Sequence, residues 1–303
     1  MQPGIYDIGE DEYHADPCPT PSLSNSIAVT MIDQSPIHAW AKHPKLNPNY
    51  EAEERGIFDT GSAAHALVIE GVDRIEVIDA KDWKTKAAKE ARDAARDNGK
   101  IPMLPDGAKD VRAMAEAFYL QVNGIPEIAA AIKSFKGEQT VLWQEGEVWC
   151  RCRPDILPDD GPIVLDYKTT TNAHPSIWSA SRLYEGPDMQ DAFYTRGLKA
   201  VGRDFEKMVF IVQETKFPYA LSAVAVSPEG RDSAAARVSR SIRMWQRCLS
   251  RNDWPGYPSM IFHGDPTWRS DKRRGVADDV QAFTGRDALE TAIKMQTPTE
   301  LTQ

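Results

Sequence analysis

In this chain Arg153-Pro154-Asp155 is followed, eleven positions after its aspartate, by Asp166-Tyr167-Lys168. The first carboxylate ends one β-prone run. The second shares a strand face with the lysine, because residues i and i+2 of a strand point the same way. Converging carboxylates can hold a hard divalent cation, and a lysine beside them can orient or polarise a water. That is the smallest equipment for metal-assisted phosphodiester hydrolysis. The competing reading is an ordinary hairpin with charged residues on its solvent face, since a D…DxK pattern is short enough to arise by chance.

The elements that must position these residues are legible around them. Residues 139–143 and 147–153 are β-prone runs joined at Glu145-Gly146, a hairpin signature. A third strand over 163–169 is entered through Asp159-Asp160-Gly161-Pro162. Helical character returns over 188–201, and 208–213 and 221–226 are apolar enough to be buried strands. Ser227-Pro228-Glu229 then supplies an N-cap with proline at the first helical position, opening an arginine-rich helix.

Before the hairpin, Ser24 caps a short helix over 24–33 in an otherwise irregular first fifty residues. Over 59–70, Ala63, Ala64, Leu67, Val68 and Ile69 form an apolar helical face, with Gly71 as the natural stop. Further helices are predicted over 84–98, ending at Gly99, and over 106–122. The order helices, three strands, helix, two strands, long helix predicts one α/β domain. It has a central mixed sheet flanked by helices and an added helical N-terminal portion. The divisions are 1–58 for that portion, 59–270 for the core and 271–303 for a weakly ordered tail.

With 303 residues, 41% of them hydrophobic and 27% charged, the chain can bury a substantial core. No run approaches the roughly 18 apolar residues of a membrane span. The start, Met1-Gln2-Pro3-Gly4, has neither a basic nor an apolar stretch, so a cytoplasmic protein without a secretory signal is expected. Cys150 and Cys152 lack the C-x-x-C spacing of zinc or redox sites. With Cys18 and Cys248 they read as reduced, buried thiols.

The net charge of −9 looks wrong for a protein that handles nucleic acid, but its distribution matters more. Residues 1–82 carry 5 Lys/Arg against 15 Asp/Glu, leaving the remainder near neutral. Residues 231–251 hold six arginines against one aspartate, and Arg269-Ser270-Asp271-Lys272-Arg273-Arg274 is a second basic knot. These are phosphate-binding surfaces or solvated helix faces.

Lined up, the motifs resemble the RecB-like branch of the PD-(D/E)XK nucleases, and within it the RecE-type exonucleases (exonuclease VIII) of phages and prophages. The matching text begins with Gly4-Ile5-Tyr6-Asp7-Ile8, Tyr13-His14-Ala15 and Gly61-Ser62-Ala63-Ala64-His65-Ala66-Leu67. It continues with Glu138-Gln139-Thr140, Cys150-Arg151-Cys152-Arg153-Pro154-Asp155 and Asp166-Tyr167-Lys168-Thr169-Thr170. Gln190-Asp191-Ala192-Phe193-Tyr194 and Asp253-Trp254-Pro255 complete it, so the resemblance covers roughly residues 4–270 in order.

The resemblance implies a PD-(D/E)XK core and a set of roles. Asp155, Asp166 and the backbone carbonyl of Tyr167 would coordinate Mg²⁺ or Mn²⁺, and Lys168 would position or activate the attacking water. His65 would ligate an ion or contact the scissile phosphate. Gln190 and Tyr194, at i and i+4 on one helix face, would touch the DNA backbone or support the lysine. Glu138 sits where many members keep an acid. Each has a plainer alternative: His65 as a core histidine, Gln190 and Tyr194 as packing residues, Glu138 as a surface strand residue. The other histidines, His14, His38, His43, His174 and His263, show no ligand spacing. Some related nucleases carry an iron–sulfur cluster on C-terminal cysteines, and with Cys248 alone there none is expected here.

The activity implied is Mg²⁺-dependent digestion of the 5′-ended strand at linear duplex DNA ends, leaving 3′ tails for a single-strand annealing protein. Relatives form rings, so a homo-oligomer, a tetramer by resemblance, is implied, with basic helices lining a passage and the acidic N-terminal part facing outward. The rival readings are a single-strand or flap nuclease of the same branch, and a catalytically silent DNA-binding module.

Overall fold

The two longest strands alternate large apolar side chains toward both faces, which makes them buried on both sides and sets the layering. The computed structural model describes residues 1–51, 59–257, 261–262 and 283–284. The basic stretch 269–274, and all of 271–303 but Phe283–Thr284, lie outside the described residues.

In chain order the first elements are β1 (Gly4–Tyr6), α1 (Glu10–His14), β2 (Leu23–Ser24), α2 (Asn25–Asp33), α3 (Pro36–Ala41) and α4 (Asp59–His65). There follow β3 (Ile75–Val77), α5 (Lys86–Asp97), β4 (Ile101–Met103), α6 (Pro105–Val122) and α7 (Pro126–Ala131). The strands β5 (Phe135–Gly137), β6 (Thr140–Glu145), β7 (Val148–Cys152), β8 (Ile156–Pro158) and β9 (Ile163–Thr170) come next. The remainder is α8 (Pro175–Trp178), α9 (Pro187–Ala200), β10 (Lys207–Glu214), β11 (Leu221–Val224) and α10 (Pro228–Arg251). Met1–Trp254 is one compact unit; in the other, Pro255–Gln303, β12 (Ile261–Phe262) pairs antiparallel with β13 (Phe283–Thr284).

The fold is mixed α/β, as expected, but the strands divide between two principal mixed sheets. One has the order β11-β10-β9-β8-β5, with β9 and β10 parallel and the other pairs antiparallel. The other has the order β1-β6-β7-β2, so the predicted hairpin β6–β7 recruits two N-terminal strands. Strands of three and two residues are too short for periodicity to announce, which is why the N-terminal fifty residues read as irregular. Val164, Met208, Phe210 and Val212 face a core completed by α2, α9, α10 and the inner side of β6–β7. Ile163, Leu165, Tyr167, Val209 and Ile211 face the α4–α6–α7 side. The four cysteines are buried and free, and Trp143, Trp149, Trp178 and Trp245 are core residues.

The strong local signals produce the elements they predict. Ser24 caps α2 through its hydroxyl, which accepts from the Ile27 amide at 3.4 Å. The 59–70 helix ends as a wider turn over Ala66–Glu70 and stops at Gly71, whose φ of 67° lies in the left-handed region that glycine tolerates. Ser227 caps α10 by accepting from the Gly230 amide at 3.1 Å.

Candidate active site

Four separate elements deliver the carboxylates, the lysine and the histidine to one place. Asp166 and Lys168 lie on β9 with their side chains on the same face, and Lys168 Nζ donates to Asp166 Oδ1 at 2.7 Å. Asp155 lies just before β8, where the antiparallel pair Ile156–Leu165 brings it opposite Asp166. Its Oδ2 accepts the Tyr167 amide at 2.8 Å, which locks the side chain onto the strand that carries the other acid. His65, the last residue of α4, places Nε2 3.5 Å from Asp155 Oδ2 and 3.1 Å from Glu138 Oε1.

Glu138 sits between β5 and β6 at φ 55°, a left-handed backbone that costs a non-glycine residue about 1 kcal/mol. The surroundings hold it there. Its amide donates to the Asp155 carbonyl at 3.1 Å, and its carboxylate takes the Arg153 Nε–H on one oxygen and faces His65 with the other. Arg153 also donates to the Ile8 carbonyl at 2.8 Å and Thr140 Oγ1 at 3.2 Å, tying the N-terminal segment to the site. Tyr13 lies against both Arg151 and Arg153, with 5.5 and 5.8 Å from ring centre to guanidinium carbon.

On the face of β9 that carries Asp166, α9 covers the acids. Gln190 Nε2 donates to Asp166 Oδ1 at 2.9 Å, and the Tyr194 hydroxyl donates to the Arg153 carbonyl at 3.3 Å. Both side chains belong to buried residues, so they support the site from behind. Tyr167 turns its ring to the opposite core, where its hydroxyl donates to Gln213 Oε1 at 2.6 Å.

Electrostatics follow from burying so much charge. Burial, and after it the Asp155 charge, push the fully enclosed Asp166 up to about 6, together outweighing the pull of Lys168 and Gln190. Burial would lower His65, but its hydrogen bond to Asp155 and the charges of Asp155, Glu138 and Asp166 raise it to about 9. Burial opposes ionisation of Asp155 too, yet His65 and Lys168 hold it below the ordinary carboxylate range. Burial leaves Glu138 raised despite Arg153 and His65. Lys168 is raised: burial works against its charge, and Asp166 and Asp155 prevail.

His65, Glu138 and Asp155 present ligand atoms within 4.8 Å of one another, a group able to hold a metal ion. Oxygen donors predominating over one imidazole suit a hard divalent cation. The group opens on a groove of about 2310 Å³ lined by His65, Glu138, Arg153, Tyr167, Lys168 and Thr169 among others. Asp7, Glu10 and Asp11, all exposed, line the same groove. The β1–β6 pairing and the Arg153–Ile8 bond draw them in.

Sequence reasoning missed Arg153 and Tyr13 as parts of this scaffold. The available signal was Cys150-Arg151-Cys152-Arg153, two charges at strand spacing between buried positions, which demand partners on one face.

A mixed sheet carrying D…DxK acids with helices on both sides defines a PD-(D/E)XK-type nuclease domain. The chain belongs to the family described as the PDDEXK-like domain of unknown function (DUF3799), which matches residues 24–261. The superfamily resemblance drawn from the motifs is thus borne out. Among solved structures, a candidate exonuclease from Eubacterium rectale is similar at 11% identity and a TM-score of 0.59. That match covers 90% of this chain and 96% of the other. A phage-related exonuclease from Haemophilus somnus matches at 17% identity and a TM-score of 0.27, over 63% of this chain and 95% of its own. No curated protein matches the chain.

Proposed function

We propose that the protein is a divalent-metal-dependent exodeoxyribonuclease of RecE type, acting on the ends of linear double-stranded DNA. The observation that carries this reading is the convergence of Asp155, Asp166, Lys168 and His65 beneath an open groove. In this reading Asp155, Asp166, the Tyr167 carbonyl and His65 hold the ion, Mg²⁺ by expectation with Mn²⁺ as a substitute, and Glu138 adds a carboxylate. Bound there, the ion supplies positive charge to the attacking and leaving oxygens and makes a water more acidic.

The chain's own residues do the rest. Lys168 stays protonated while paired with Asp166, so it orients water and offsets phosphate charge. Gln190 keeps Asp166 facing the site, and Arg153 keeps Glu138 in its left-handed pose beside His65. Loss of the 5′-ended strand, 3′ tails for an annealing protein, and a ring-shaped homo-oligomer in a phage or prophage setting complete the proposal. They rest on the motif resemblance.

The test is digestion of a linear duplex labelled separately at its 5′ and 3′ ends, with and without Mg²⁺, using Lys168→Ala as control. Metal-dependent loss of the 5′ label with the 3′ tail spared is expected. Cutting confined to single strands or flaps would transfer the assignment to that class of nuclease. Silence on every substrate would leave a binding module.

A further inference from the structure

The groove above the candidate site carries Lys/Arg and Asp/Glu side chains in near-equal number, so by itself it offers DNA little net attraction. A concentrated positive surface exists elsewhere. From 233 to 251 the chain has five arginines and no Asp or Glu, inside a protein of net charge −9. All five lie on α10, which packs on α9, α2 and α3.

The arginines of α10 divide into two sets. Arg231 and Arg237 turn inward and pair with the buried Asp191 and Asp188 of α9, the first at 2.9 Å. Arg240, Arg243, Arg247 and Arg251 are exposed. At 100° per residue they fall within an arc of about 80° and extend along about 16 Å of the helix. Among the described residues none of the four guanidinium groups makes an ion pair or a hydrogen bond, whereas those of exposed arginines elsewhere do. Arg74 pairs with Glu70, Arg112 with Asp73 at 3.0 Å and Arg182 with Glu185 at 2.9 Å. The helix dipole favours a cation at the C-terminal turn and so accounts for Arg251, but it does not reach Arg240 or Arg243.

We infer that this stripe is a second docking surface for the phosphate backbone of the DNA, separate from the groove; the inference rests on the nuclease reading above. One strand of B-form duplex presents about five phosphates over the length of the stripe. Guanidinium forks suit phosphate oxygens, and an uninterrupted arginine row free of carboxylates leaves those forks available. The stripe would hold the duplex while the groove engages its end.

The experiment compares the wild type with a protein carrying Arg240→Gln, Arg243→Gln, Arg247→Gln and Arg251→Gln together, which are solvent-side changes. Affinity for a blunt linear duplex of about 30 base pairs is measured by anisotropy across a salt series, with Ca²⁺ in place of Mg²⁺. Every phosphate left without its arginine lowers the slope of log K against log salt by about 0.9, so a drop of roughly two to four is expected with at least tenfold weaker binding. The four-lysine version should retain most of the slope. An unchanged slope and affinity would overturn the proposal. So would a change in assembly mass by light scattering with duplex affinity intact, which would assign the stripe to a second copy of the chain. Wild-type cleavage is scored separately: cleavage without a slope change sinks the surface alone, and a slope change without cleavage sinks the nuclease reading alone.

Discussion

Gln190 Nε2 bridges both carboxylate oxygens of Asp166, at 2.9 and 3.3 Å, from a helix 24 positions further along the chain. The contact crosses from α9 to β9 and is buried. It fixes the orientation of an acid that burial and the Asp155 charge push toward protonation, and opposes that push in part. Gln190→Ala is therefore expected to weaken Mg²⁺ affinity or turnover by roughly 10–100-fold, the usual cost of losing such a partner. A metal titration of the cleavage rate checks this; wild-type Mg²⁺ affinity and turnover in the variant would remove Gln190 from the site.

Asp166→Ala should abolish cleavage while the fold survives. The carboxylate is fully buried and close to Asp155, so its removal relieves desolvation and repulsion, and Lys168 keeps partial access to water. Chemical denaturation should give a stability equal to or above that of the wild type. Residual wild-type turnover would sink the site assignment.

A second buried network secures the N-terminal segment. Arg151 donates to Ser22 Oγ at 2.6 Å and lies 3.4 Å from Asp16, which also meets His43 at 3.3 Å. Arg151→Met removes the arginine from a buried carboxylate, leaves it only its bonds to Ser22, Cys18 and His43, and should cost about 3 kcal/mol. Adding Asp16→Asn should recover part of that loss, measurable as a double-mutant cycle. Strict additivity would mean the two residues act independently.

Burial alone would raise Asp16, but His43, Arg151 and Ser22 bring it from 3.8 down to about 2. A folded-state value below the unfolded one means ionised Asp16 stabilises the protein. The contribution, about 2 kcal/mol, is complete above the unfolded value and disappears as pH falls through about 2. Between pH 6 and pH 2 the stability gap between wild type and Asp16→Asn should close by that amount. A gap independent of pH would contradict the assignment.

Gly197 in α9 lies against Trp143: a Cβ there would sit 2.7–2.9 Å from three ring carbons of a buried indole. Helix propensity favours Gly→Ala by about 1 kcal/mol, whereas overpacking costs about 1–3 kcal/mol. Packing should win, and Gly197→Ala should lower the melting temperature. A higher melting temperature would show that Trp143 can shift.

Asp155, Asp166 and Lys168 could be singled out from residue type and spacing because their chemistry demands specific groups at short sequence intervals, whereas His65, 90 positions before Asp155, was legible only through the motif resemblance. The helices over 24–33, 106–122 and 228–251 were equally legible, since caps, prolines and apolar periodicity act within a few residues. Such local rules say nothing about which face of a helix meets which strand. The inward pairing of Arg231 and Arg237, the outward row from Arg240 to Arg251 and the Gln190–Asp166 bridge all depend on how α9 and α10 pack. Likewise, Tyr13, Ile8 and Arg153 meet across more than a hundred residues. That long-range pairing closes the site, and it comes from burial and hydrogen-bond satisfaction across the whole chain, which no local window contains.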